Sequence, residues 1–167
     1  MTNTQHTKQR MVAIALSSRG FGFCIFEGNE LLDWGNREVK AGNKNDKCLA
    51  KIERLIAQYQ PAMLTMQNIA GSRRAQRIKK LSRKIIALAR AHRLKVKLFS
   101  EKQINAAFGG NAETKHERAE IIAARFPDTL GLSLPPKRKA WMSEDARMDI
   151  FEAAAVAMAN TPLLASG

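Results

Sequence analysis

The sequence is poor in several features that would otherwise narrow its class. Of 167 residues only two are cysteines, Cys24 and Cys48, and they lack the spacing of a metal site. They are expected to be buried, reduced thiols in a cytoplasmic protein. No apolar run approaches the ~18–20 residues that cross a bilayer, so no membrane partner is expected. The opening MTNTQHTKQR is polar and does not read as a secretory signal. No internal repeat and no domain linker is visible. The most informative absence is local: residues 54–100 contain not one Asp or Glu.

What is present completes the picture. Hydrophobic residues make up 45% of the chain and aromatics 6%, enough for a folded core and too much for a disordered chain. The length suits one domain, read as 11–160 between flexible tails at 1–10 and 161–167. The formal net charge is +13. Residues 1–53 carry eight Lys/Arg against six acids, and residues 101–167 carry eight against nine. The acid-free segment 54–100 carries twelve Lys/Arg, so almost all of the excess is concentrated there. A basic segment on an otherwise balanced domain points to a polyanion, nucleic acid first.

Hydrophobic periodicity supplies the elements. MVAIALSS (11–18) reads as a buried strand, GFCIFEG as a second with Phe21, Phe23 and Ile25 alternating, and ELLDWGN as a third after the Gly28-Asn29 turn. Residues 44–58 have helical spacing, with Leu49, Ile52, Leu55 and Ile56 on one stripe. AMLTMQ (62–67) reads as a fourth, central strand. A long basic helix over 73–93 follows, its buried stripe formed by Ile78, Leu81, Ile85 and Leu88. KVKLFS (95–100) reads as a fifth strand. A short helix ending at Gly109-Gly110, a helix over 113–126, a loop over 127–143 and a helix from Ser143 or Glu144 to Asn160 complete the chain. This order predicts an α/β domain: a mixed five-stranded sheet, with a three-strand antiparallel meander, two parallel strands and helices on both faces.

Four segments carry a resemblance. AIALSSRGFGFCIFEG resembles the first strand and hairpin of the RuvC family of Holliday-junction resolvases, which have a ribonuclease H-like fold. LLDWG resembles the family's third strand, QPAMLTMQN its central strand, and DIFEAAAVAMA its acidic, alanine-rich last helix. The likeness spans about residues 11–160. It implies DNA recombination chemistry, in which four carboxylates hold two Mg²⁺ ions that activate water and stabilise the leaving oxygen. It also implies a homodimer.

The resemblance carries those catalytic positions onto Ala15, Gln67, Asp149 and Glu152. Ala15 stands where the family has Asp and supplies no ligand. Gln67 stands where the family has Glu and brings no charge to a hard cation that prefers charged oxygens. Asp149 and Glu152 are acidic, three residues apart on one helix face, and Asp145 one turn earlier can join them as a metal ligand. Losing two of four charges implies weak Mg²⁺ binding. The pair also has a plainer reading, since acids near a helix start suit the helix dipole with no metal present.

For nucleic acid, the resemblance puts the basic helix beside the DNA channel. Arg73, Arg74, Arg77, Lys80, Arg83 and Lys84 are its expected phosphate contacts, with Arg19 at the first hairpin. Phe21 reads as core rather than a base-stacking platform, and His116 as a surface residue. Lys137, Arg138 and Lys139 suit a nucleic-acid backbone and plain surface charge equally well. Trp141 reads as the anchor of their loop. The expected function is binding of branched or duplex DNA with absent or impaired cleavage. An active structure-selective endonuclease with an altered metal site, and a non-catalytic RNA- or partner-binding assembly protein, are the alternatives.

Overall fold

A computed structural model describes residues 9–161 of the chain. The tails expected at 1–10 and 161–167 lie outside the described residues except for residues 9, 10 and 161. Arg10 already belongs to the first strand.

Strand β1 (Arg10–Leu16) pairs antiparallel with β2 (Gly20–Glu27), and β2 with β3 (Glu30–Glu38). Gly28 makes the second link at φ 60°, a left-handed conformation that costs glycine little. Helix α1 (Lys44–Tyr59) then crosses to β4 (Met63–Gln67), which lies parallel to β1 from Met11 opposite Met63 to Ile14 opposite Met66. Helix α2 (Gln76–Ala91) leads to β5 (Lys95–Phe99), parallel to β4. The order across the sheet is β3-β2-β1-β4-β5. Helices α3 (Glu101–Ala106), α4 (Lys115–Arg125) and α5 (Met148–Asn160) follow, with a short 3₁₀ turn at Leu130–Ser133.

β1 is central and buried on both faces, which is why it reads as a continuous apolar run rather than an alternation. Val12 and Ile14 join Phe21, Phe23 and Ile25 beneath α1 and α2, against Ile52, Ile56, Leu81 and Ile85. Ala13, Cys24 and Phe26 face the other way, against Ile104, Ile122, Phe151 and Val156 of α3, α4 and α5. Both cysteines are free and buried, and desolvation pushes both thiols up from their ordinary pKa. Phe21 is core.

Small side chains bring α5 down onto the sheet: Ala153, Ala154, Ala155 and Ala157 are all buried. Gly22 sets the closest approach, since a Cβ there would lie 2.0 Å from the Asp149 carbonyl oxygen. Only glycine permits β2 and the start of α5 to meet in this way.

Several boundaries differ from the sequence expectation. α5 begins at Met148 instead of Ser143 or Glu144. The Asp145 carboxylate accepts from the Arg147 backbone N–H at 2.9 Å, and the Asp145 carbonyl accepts from Met148 N–H at 3.0 Å. That local turn competes with helix over 143–147. Arg73 and Arg74 precede α2, in a turn where Ser72 Oγ accepts from the Arg74 N–H at 3.3 Å. Leu88 is half-buried, and Ala89 takes its expected inner place. The step from Ile78 to Ala89 comes closer to about three full turns of 3.6 residues than the step to Leu88 does.

Candidate functional site

The C-terminal ends of β1 and β4 and the first turns of α5 enclose a cavity of about 330 Å³. Ala15, Gln67, Asp149 and Glu152 all line it, together with Arg19, Arg74, Lys115 and Glu144. The four positions carried over from sequence are thus gathered in one place. The strand register does this: Ala15 and Gln67 each lie one step beyond the Ile14–Met66 pair of the parallel β1–β4 ladder. Successive strand residues alternate faces, so Ala13 and Ala15 share the α5 side.

The carboxylates are already occupied. Asp149 is 4% exposed; its Oδ2 accepts from Ser17 Oγ at 2.7 Å and its Oδ1 from Arg19 Nη2 at 2.8 Å. The same Arg19 nitrogen reaches Glu144 at 3.2 Å, and Lys115 lies 3.9 Å from Glu144. Deeper in, Arg118 of α4 is only 3% exposed. Its Nη2 donates to Glu152 at 3.4 Å, and its Nη1 to Glu101 at 3.3 Å and to Asn105 Oδ1 at 2.6 Å. Gln67 Nε2 donates to the other Glu101 oxygen at 3.1 Å, so the amide on β4 acts as a donor toward an acid.

Burial dominates the titration of this group. Desolvation raises the Asp149 carboxyl against the opposing pull of Ser17 and Arg19, and it raises Glu152 against Lys115 and Arg118. For Arg19, burial works against the charge, but Asp149 and Glu144 outweigh it and hold the guanidinium above its ordinary value.

This donor set does not fit a pair of divalent cations. Glu144, Asp149 and Glu152 line the cavity together with Arg19, Arg74 and Lys115, and Arg118 behind them pairs with Glu152 and Glu101, so the acids are balanced by cations of the same site. Among the described residues no group of three or more His, Cys, Asp or Glu side chains is arranged to hold a metal ion. Asp145 does not join Asp149 and Glu152. Arg147 takes its carboxylate through Nε at 3.0 Å and Nη2 at 2.8 Å and holds its pKa down at about 2.

The basic residues divide into two groups. Arg74 Nη1 donates to the Leu16 carbonyl at 2.9 Å, and Arg77 Nη1 donates to Asn45 Oδ1 at 3.0 Å. Both brace the first hairpin and α1 at the rim of the cavity. Arg73, Lys80 and Arg83 are exposed, and Lys84 is half-buried. His116 is partly buried beside Glu120, 3.2 Å away. Trp141 does not anchor its loop: it is 80% exposed, and the buried Leu130 and Pro135 root the segment instead.

Arg118, Glu101, Ser17, Lys115 and Glu144 escaped the sequence reading. Arg118 left one signal: it stands four residues before Ile122 on the apolar stripe of α4. A cation at such a position calls for a buried acid. Nothing in the sequence said which one.

No protein-family model matches the sequence, and no curated protein does. Among solved structures, the chain is similar to Thermus thermophilus RuvC, with a TM-score of 0.65 at 15% identity, covering 95% of this chain and 96% of that one. It is likewise similar to T. thermophilus RuvC in complex with a Holliday-junction substrate, with a TM-score of 0.64 at 14% identity and the same coverage. Over the 95% of the chain that is matched, it has the ribonuclease H-like fold of these RuvC structures.

Proposed function

We propose that this protein binds branched or duplex DNA on a RuvC fold and does not hydrolyse it by the two-metal route. The observation that carries this reading is the cavity itself. Arg19 and Arg118 contact Asp149 and Glu152, while Ala15 and Gln67, at the positions where the resemblance expects the two strand acids, bring no charge to the same cavity. Two-metal hydrolysis needs anionic oxygens free to bind both ions. A guanidinium paired to each remaining carboxylate takes over the neutralising role, so Mg²⁺ binding is weak. Binding, by contrast, needs only cations on the surface. The twelve Lys/Arg of residues 54–100, with Arg73, Lys80 and Arg83 exposed, supply them. The Holliday junction bound to T. thermophilus RuvC supports DNA as the partner; a homodimer is the working unit that the family resemblance implies.

The test is fluorescence anisotropy of labelled four-way junction, duplex DNA and RNA, at about 50 and about 200 mM salt, with product gels run in Mg²⁺ and in Mn²⁺. If six or more phosphates are contacted, affinity should fall about 10³-fold or more over that range. Junction and duplex should bind without being cut. Salt-independent binding or a preference for RNA overturns the DNA assignment. Metal-dependent cleavage abolished by Glu152→Ala overturns the loss of hydrolysis.

A further inference from the structure

The loop that closes the other side of the site is unlike the rest of the surface. Residues 129–143 contain no acid and three consecutive cations, Lys137, Arg138 and Lys139, followed by Trp141. The root of the loop is fixed by the buried Pro135 and by Met148 at the start of α5. From Pro136 to Ser143 every residue is exposed. The Trp141 indole is held in water at 80% exposure, with the Lys139 ammonium 5.3 Å from its ring centroid. A cavity of about 460 Å³ under the loop shares Lys115 and Glu144 with the central cavity, so the loop borders the site directly.

We propose that this loop is a second nucleic-acid contact, in which Trp141 stacks on a base left unpaired at a branch or strand end while Lys137, Arg138 and Lys139 hold the flanking phosphates. The inference rests on the nucleic-acid reading above and adds to it a contact that senses broken pairing. An exposed indole offers a π-face to any base, and cations next to it meet the backbone that every base carries. Neighbouring chemistry argues against other occupants. Protein interfaces are depleted in lysine at their centres, whereas here the aromatic sits among cations. Recruitment to an anionic bilayer calls for about four to eight basic residues in a cluster, and this loop has three before Glu144 and Asp145 reverse the sign.

The experiment compares the full-length wild type, Trp141→Ala and Trp141→Phe. The probes are a four-way junction carrying 2-aminopurine at the branch, an intact duplex of equal length, and phosphatidylserine vesicles. Trp141→Ala should bind the junction about tenfold more weakly, Trp141→Phe should stay within about threefold of the wild type, and neither should change duplex affinity beyond that margin. The 2-aminopurine signal should respond to the wild type and not to Trp141→Ala. Unchanged junction affinity in Trp141→Ala, or an equal loss on junction and duplex, overturns the stacking contact and leaves the DNA-binding reading standing. Indole fluorescence that responds to vesicles and not to the junction also overturns it, in favour of a membrane surface. A wild type that binds neither DNA overturns both.

Discussion

Arg118 and Glu152 face each other across the α4–α5 contact, 3.4 Å apart, with the arginine almost wholly removed from solvent. The same guanidinium also holds Glu101, which in turn receives Gln67. A buried cation therefore ties α3, α4 and α5 to one another and, through Glu101, to β4. Breaking such a pair from one side leaves a charge without a partner and costs about 3–5 kcal/mol. Arg118→Met should lower the unfolding free energy measured by urea titration by an amount of that order. Adding Glu152→Gln should recover part of the loss. An Arg118→Met protein as stable as the wild type would show that the cluster contributes nothing to folding.

Much of this was legible in the chain. The meander, the parallel crossovers and the two helical layers follow from period-two and period-3.6 patterns that the core bears out, as Val12 and Ile14 on one face and Ala13 on the other illustrate. The gathering of Ala15, Gln67, Asp149 and Glu152 in one cavity was also foreseeable, because resemblance fixed their order and the ladder fixed their neighbours. The pairing of those acids was not. Arg19–Asp149 spans 130 residues and Arg118–Glu152 crosses between helices whose docking no local pattern encodes. Trp141 misled for a related reason: large aromatics are usually buried, and only packing reveals one that is not.

Metal response should separate this cavity from one built to bind ions. Adding Mg²⁺ or a chelator should leave the melting temperature of the wild type unchanged, since a ligand raises it only by binding the folded state in preference to the unfolded one. Ala15→Asp/Gln67→Glu adds two charges to the cavity but leaves Arg19 on Asp149. That variant should therefore gain a smaller Mg²⁺-dependent shift than one that also carries Arg19→Ser. A clear Mg²⁺ shift in the wild type would contradict the charge-balanced account.

The exposed and the bracing arginines should behave differently under mutation. Lys80→Gln and Arg83→Gln remove cations from an open face, so each lost phosphate contact should reduce the slope of log K against log salt by about 0.9 with little change in stability. Arg77→Gln removes the donor to Asn45 and should lower stability. If the slope is unmoved in Lys80→Gln/Arg83→Gln, α2 does not face the DNA.

Acid titration should show two opposed limbs. Arg147 holds Asp145 at about 2, below its ordinary 3.8, so this contribution to stability is present above pH 3.8 and is lost as pH falls through about 2. Burial raises Asp149 and Glu152 instead. Their contribution is present below the ordinary values of 3.8 and 4.5, and is lost as pH rises through the raised ones. Melting curves should show Asp145→Asn flattening the first limb and Glu152→Gln flattening the second. Carboxyl NMR titrations that place all three groups below 3.8 would refute the dominance of burial.

The seating of α5 also bears on how the protein is made. Among the described elements, the strand at the centre of the sheet is synthesised before the others, and the helix that completes the cover of one face comes after them. Until Phe151 and Val156 have emerged, Ala13, Cys24 and Phe26 have only part of their cover, from α3 and α4. A nascent chain halted after α4 would carry a half-covered sheet, the kind of surface that recruits chaperones and drives aggregation. Gly22, which lets the last helix dock so closely, thereby governs the final step of synthesis-coupled folding as much as the shape of the finished molecule.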